Sequence, residues 1–556
     1  MSRLTSSFVV AAAGWLAACL FTTLRADSSE TAAQPGPPRA HAAVDVGMFA
    51  PSSECVACHN NLVTPAGEDV SIGASWRGSI MANSARDPYV LASVRRETID
   101  HAGRASDIED ECATCHAPAA QKIAHAAGGK AQIFAHVANV AAGTRSALDD
   151  LAVDGVSCTV CHQIAPDRLG TRESFNGNFV VAPPRPDGRR RAFGPFEVDA
   201  GRRRLMHSVT AFEQEQAPHI RESQLCATCH TLTTEALGPD GRVIGSLPEQ
   251  MNYQEWRHSS FSGEGRSCQS CHMPPAEGPV RLSSVLGDYR DRLARHTFLG
   301  GNAFMLRMMS RYRSELGVEA TSAELEATAR ATIRQLEQET ATVAVDQAVL
   351  RGGTLAFDVV VTNLTGHKFP TGYPSRRAWL HVTVRNREGG IVFESGGVTP
   401  AGSIVGNDND SAAVAFEPHY EEITRSDAVQ IYESIMGTPA GAPTTGLLQA
   451  TQYLKDNRLL PRGFDKRTAA PEIAVVGAAA GDADFTGQGD RVRYRVPMSA
   501  PATIEVELRY QPIGFRWAQN LAAYDAPEPR RFLGYYNNLA AISSVAVART
   551  ARSVGP

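Results

Sequence analysis

Five segments of this sequence set two thiols and an imidazole at fixed spacing: Cys55, Cys58 and His59; Cys112, Cys115 and His116; Cys158, Cys161 and His162; Cys226, Cys229 and His230; Cys268, Cys271 and His272. Cys-x-x-Cys-His is the attachment signature of c-type haem: the thiols add across two porphyrin vinyl groups and the adjoining histidine ligates the iron. Zinc ribbons and thioredoxin-like redox pairs also use Cys-x-x-Cys, but neither requires the histidine. Histidine occurs 16 times in 556 residues. Its chance appearance after all five pairs therefore has a probability on the order of 10^-8, and the expectation is five covalently attached c-type haems.

Covalent haem is assembled outside the cytoplasm, so the chain needs an export signal. Arg3 precedes an apolar run, Phe8 to Phe21, that is short for a membrane span and reads as part of a signal peptide over residues 1–26. Two readings of its processing stand. In one, Leu16-Ala17-Ala18-Cys19 is a lipobox whose cysteine is diacylated and tethers the protein to a membrane; in the other, cleavage follows Leu24-Arg25-Ala26 and Cys19 is discarded. Ten of the eleven cysteines belong to the five motifs and Cys19 is the one left over; the polar tether that follows it is what an anchored domain needs and favours the lipoprotein. Residues 27–46, rich in Ala, Pro, Ser and Thr, read as a flexible linker. The expected location is the periplasm or outer membrane of a Gram-negative bacterium. A formal charge of -5, before any porphyrin propionates, argues against nucleic acid and leaves redox proteins as the expected partners.

The elements that must hold the motifs fall into two textures. Residues 47–338 contain helical stretches such as Pro88 to Ile99 and Asn302 to Leu316, separated by Gly/Pro-rich loops. Such loose structure suits a domain whose apolar core is supplied by porphyrins. A helix around Ala323 to Glu337 leads into residues 339–556, where Leu355, Phe357, Val359 and Val361 alternate with other residues, as do Leu380, Val382 and Val384. Val492, Tyr494 and Val496, then Ile504, Val506, Leu508 and Tyr510, repeat the period of two, which marks half-buried antiparallel strands. A helical insertion is expected near 427–457. The fold class read from this is multi-domain: a mainly α/loop multihaem cytochrome c domain, then an all-β sandwich with a helical insertion. Trp76-Arg77-Gly78-Ser79 and Trp256-Arg257-His258-Ser259 share Trp-Arg-x-Ser, a short echo that suggests a duplicated unit.

On its motifs the first region resembles the multihaem c-type cytochromes of the c-552/4 type, related to small tetrahaem electron carriers and to hydroxylamine oxidoreductase. Asn363 to Gly372 and Leu454 to Pro461 are similar to stretches in bacterial multihaem proteins that carry a β domain after the haems. The resemblance implies a second histidine on most irons. His296, which opens His296-Thr297-Phe298-Leu299-Gly300-Gly301-Asn302, is the first candidate, with His219, His207 and His367 beside it; His136 competes with His101 and His125 for the last place. Relatives often place a distal histidine in Trp-x-x-Ser-x-His, where this chain has Met81, either a core filler or a thioether ligand. Arg189 to Arg191 and Arg202 to Arg204 are basic runs that suit propionates, an acidic redox partner or solvent alone. Asp408 and Asp410 lack the glycine and distal glutamate of an EF-hand.

The function expected is electron relay between periplasmic or outer-membrane redox partners. The alternative is a multihaem oxidoreductase with one open haem, acting on hydroxylamine or a small nitrogen or sulfur oxyanion. All five motifs end in histidine, with no Cys-x-x-Cys-Lys variant, which counts against one version of that alternative and leaves the others open.

Overall fold

Strands Thr354–Asn363 and Asp490–Pro497 bury every second side chain, so Leu355, Phe357, Val359 and Val361 share one core with Val492, Tyr494 and Val496. They pair antiparallel in the middle of a four-stranded sheet flanked by Glu422–Ile423 and Ala341–Arg351. The other side of that core comes from a six-stranded sheet, ordered Gln452–Asp456, Ile431–Gly437, Arg377–Asn386, Ala502–Gln511, Val545–Val554, with Ile391–Ser395 paired along Arg377–Asn386. Leu380, Val382 and Val384 meet Ile504, Val506 and Leu508 on its inner face. Two sheets packed on one apolar layer make a β-sandwich. The computed structural model describes residues 47–555; the expected signal peptide 1–26 with Cys19, and the linker 27–46, lie outside the described residues.

The helical insertion expected near 427–457 is corrected by the structure. Ile431–Gly437 and Gln452–Asp456 are antiparallel strands, and the only helical turn between them is Leu447–Gln449. All seven residues of Ile431–Gly437 are buried, so the strand shows no alternation, and a short run buried on both faces cannot be told from helix by periodicity. Pro439, Gly441 and Pro443 in the connection suit a turn and break a helix.

Residues 47–338 carry the five motifs on short helices. Cys112 to His116 close the longest of these, Ala105–His116. The preceding helix, Pro88–Asp100, begins where the Asp87 carboxylate accepts the amides of Tyr89 and Val90, with proline at its first position. The helix expected over Asn302 to Leu316 ends at Arg311, and Ser322–Glu339 starts at a capping box of Thr321 and Glu324. The chain's last helix, Pro527–Leu539, returns to these elements: Phe532 and Tyr536 share a core with Tyr89, Phe304, Met305 and Met308. Residues from both regions thus close one interior, and Gly47 onward packs as a single unit.

Candidate haem-binding sites

The five motifs meet through their thiols. Cys55 and Cys158 lie within hydrogen-bonding reach, which pushes the Cys55 thiol up and Cys158 down. Cys226 and Cys268 stand in the same relation, with Cys268 held down to about 7. The surroundings of the two pairs match residue for residue. Ser52, three residues before Cys55, accepts the Cys158 amide on Oγ at 3.4 Å; Ser223, three before Cys226, accepts the Cys268 amide at 3.1 Å. Trp76 Nε1 donates to the Val156 carbonyl at 2.9 Å, two residues before Cys158, and Trp256 Nε1 to the Arg266 carbonyl at 2.8 Å, two before Cys268. The Trp-Arg-x-Ser echo therefore marks a repeated pair unit, first and third motifs in one copy, fourth and fifth in the other. Cys115 of the second motif reaches Cys229 of the fourth, and Cys161 of the third feels Cys226.

Backbone carbonyls orient the motif histidines. His59 Nδ1 donates to Leu282 at 2.9 Å, His116 Nδ1 to Ser84 at 3.2 Å, and His162 and His272 Nδ1 to Phe193 and Leu299. A carbonyl only accepts, so Nδ1 carries the proton and Nε2 presents its lone pair, the form that binds a metal. Burial pushes His59, His116 and His162 down and His230 down to about 4, which keeps these imidazoles neutral.

Two motif histidines stand parallel to a second ring. His162 and His296 have ring centres 6.4 Å apart with planes 17° from parallel; His272 and His367 are 6.3 Å apart at 12°. Side chains stacked in contact sit closer than this. A metal–imidazole bond is about 2 Å and the nitrogen lies about 1.1 Å from its ring centre, so two rings trans to one metal have centres about 6.2 Å apart. His296 Nδ1 donates to Ala294 at 3.0 Å and His367 Nδ1 to Lys368 at 2.9 Å, leaving the Nε2 lone pair of both free to bind a metal. His367 is held at the joint between the two regions. Asn363 donates to the carbonyls of His367 and Leu459, and Phe369 exchanges two backbone hydrogen bonds with Leu459. The Glu255 carboxylate, from the fourth-to-fifth motif segment, accepts the Lys368 amide at 3.1 Å and the Thr371 hydroxyl at 2.6 Å.

A continuous cavity of about 940 Å³ runs past the thiols and imidazoles of the first four motifs. Leu205, Val209, Val285 and Leu286 line it near His59 although they are 37 to 67 % exposed. An apolar surface of that kind suits a flat apolar ligand laid against it. Paired thiols, neutral imidazoles with free Nε2 and an apolar wall are the donor set and lining a covalent porphyrin requires, so the residues fit the group.

The other expected ligands are placed as follows. His219 is buried edge-on against Phe193, with Nε2 donating to Ile164 at 2.8 Å. His136 donates Nδ1 to Asp149 at 2.7 Å. His207 lies on helix Ala200–Thr210, whose cavity-lining residues are Arg202, Leu205, Met206, Val209 and Thr210; His207 is not among them. Met81 lines the cavity and its carbonyl accepts the Val156 amide at 3.0 Å. None of these four is brought ring to ring with a motif histidine among the described residues. Sequence reasoning missed Met206, one residue from His207, since only the helix phase separates the two. It also missed Glu97, Glu249 and Tyr373, which line the cavity beside the second motif.

Outside these sites His419, Asp482 and Asp490 cluster in the sandwich. Gln430 and Asn457 each accept a backbone amide on their oxygens, from Tyr420 and Glu433, so both NH2 groups point at His419 Nδ1. Nε2 then carries the proton and donates to Asp482 at 2.9 Å, which leaves His419 no lone pair for a cation. Asp410, of the acidic loop, forms a buried bidentate pair with Arg377.

No protein-family model matches the chain, and no curated protein matches it. Among solved structures it is similar to a penta-haem cytochrome c552 from Thermochromatium tepidum, at 16% identity and a TM-score of 0.49, over 91% of this chain and 99% of that one.

Proposed function

We propose that this chain is an exported pentahaem c-type cytochrome that relays electrons, one at a time, between redox proteins of the periplasm or outer membrane. The observation that carries the reading is the pair of parallel histidine couples, His162 with His296 and His272 with His367, each beside a Cys-x-x-Cys thiol pair. When bound, the haems supply one-electron ferric–ferrous couples whose potentials follow axial ligand, burial and hydrogen bonding. The chain's own residues attach, orient and insulate them. Ten cysteines tether, Nδ1 hydrogen bonds fix the imidazoles, and apolar walls exclude water. Thiol proximity links the first, third, fourth and fifth motifs in a row with the second joined at the fourth, so the attachment points are contiguous.

Export by residues 1–26 and a lipid on Cys19 belong to this proposal. No helix among the described residues is long and apolar enough to cross a membrane. Electron paramagnetic resonance of the oxidised protein tests the relay reading, which expects six-coordinate low-spin iron to dominate. One observation favours the oxidoreductase alternative: no described ring stands parallel to His59, His116 or His230, and the cavity that these three line also carries Tyr89, Ser93, Tyr373 and Ser375. A high-spin iron that shifts on adding nitrite or hydroxylamine would transfer the assignment to that alternative.

A further inference from the structure

Three glutamates from three elements converge on the second motif. Glu97 on Pro88–Asp100, Glu111 on Ala105–His116 and Glu249 on Val243–Gln250 all line the cavity, and all act on the Cys112 thiol. Carboxylates facing an apolar porphyrin wall are costly unless protonated or strongly hydrogen-bonded. The three differ in that respect. Burial raises Glu97 as well, but Arg96 and the amides of Leu447 and Leu448, which it accepts at 2.8 and 3.3 Å, act against that rise. Glu111 is exposed at the rim, and partial burial of its carboxyl raises it with no hydrogen bond among the described residues to set it. Glu249 is 5 % exposed and accepts only the Thr234 hydroxyl at 2.6 Å and the Gln250 amide at 3.2 Å. Burial pushes it up to about 7, with Glu111 and Glu97 adding to the rise.

We propose that Glu249 takes up a proton when an electron arrives at the haem held by Cys112 and Cys115, and releases it when that electron leaves. The inference rests on the haem reading above and adds a proton to it. A one-electron donor, such as a reduced redox protein, removes one positive charge from the neighbourhood of Glu249. Its carboxylate oxygen then binds one proton drawn from solvent past Glu111, so charge at the site is conserved. Reoxidation sends the electron onward and returns the proton by the same edge. The other ionisable groups facing Glu249 do not compete near neutral pH. Arg96 stays charged, and burial pushes Tyr373 and Tyr453 well above their ordinary value. Lys122, which acts on Cys115, is lowered by burial and donates to the Gly177 carbonyl at 3.2 Å, a bond that favours its charged form.

The sign follows from linkage: proton uptake accompanies reduction, so the potential falls as pH rises. Full coupling gives about 59 mV per pH unit for one electron, the equivalent of a tenfold change in proton activity. Spectroelectrochemical titration of the full haem-loaded protein between pH 5.5 and 8.5 should show one component with most of that slope near neutrality, flattened in Glu249→Gln. A retained slope in Glu249→Gln, or no sloping component in the wild type, would overturn the proposal. Infrared difference spectra of the wild type, reduced minus oxidised, give a readout independent of the variant's folding: a protonated carboxyl band gained on reduction is expected, and its absence counts against Glu249. Intact mass of the same sample reports haem content, so loss of the haem reading is distinguishable from loss of this one.

Discussion

The two copies of the pair unit share an attachment scaffold and differ in what closes over it. In both, a serine three residues before one motif holds the amide of the other, a tryptophan nitrogen pins the approach to the second motif, and two thiols face each other. The first copy spans Cys55 to His162, encloses the second motif, and meets His296 from its own region. The second spans Cys226 to His272 and meets His367 from the sandwich. In the proposed site the tethering geometry is therefore repeated, whereas the second ligand would come from wherever the fold brings a histidine. The sandwich is thereby part of the proposed redox site and not an appendage to it.

Removing the haems is the harshest test of what the copies share. Without porphyrins the 940 Å³ cavity lined by the motifs leaves its apolar walls without packing partners, whereas the sandwich core is closed by its own side chains. Chain produced without haem attachment should lose protease protection over residues 47–338 while sandwich fragments persist; full protection would contradict a porphyrin-built core. Next come the ligands that distinguish the copies. His296→Ala and His367→Ala should each convert about one fifth of the low-spin iron to high-spin. If only His296→Ala does so, the sandwich does not reach the second copy's iron.

A smaller effect is expected at the position where the copies diverge, Met81 in one and Phe261 in the other. If Met81 ligates, Met81→Ala moves one haem potential and Phe261→Ala moves none; unchanged potentials in Met81→Ala would remove that ligand. Smallest is the tryptophan clamp. Trp76→Phe deletes a buried hydrogen bond and should cost about 1 kcal/mol, and Trp256→Phe less because its bond is solvent-exposed, as differential melting would show.

What the sequence disclosed depended on how local the signal is. The five motifs and the alternating strands are written in consecutive residues. His296 stood out by the resemblance of its segment to the relatives and His367 by its place between Gly366 and Pro370, and the structure brings each beside a motif histidine. Ile431–Gly437 was misread because burial on both faces erases the period of two. Whether Met206 or His207 faces the cavity depends on helix phase, which is set by packing. The Ser52 and Ser223 contacts and the thiol pairs span 42 to 114 residues, and no local pattern encodes them.

The intact mass of the exported, mature protein addresses the central claim most directly. Five added macrocycles, retained under denaturing conditions, are what the paired thiols predict. A mass equal to the bare polypeptide would contradict the account.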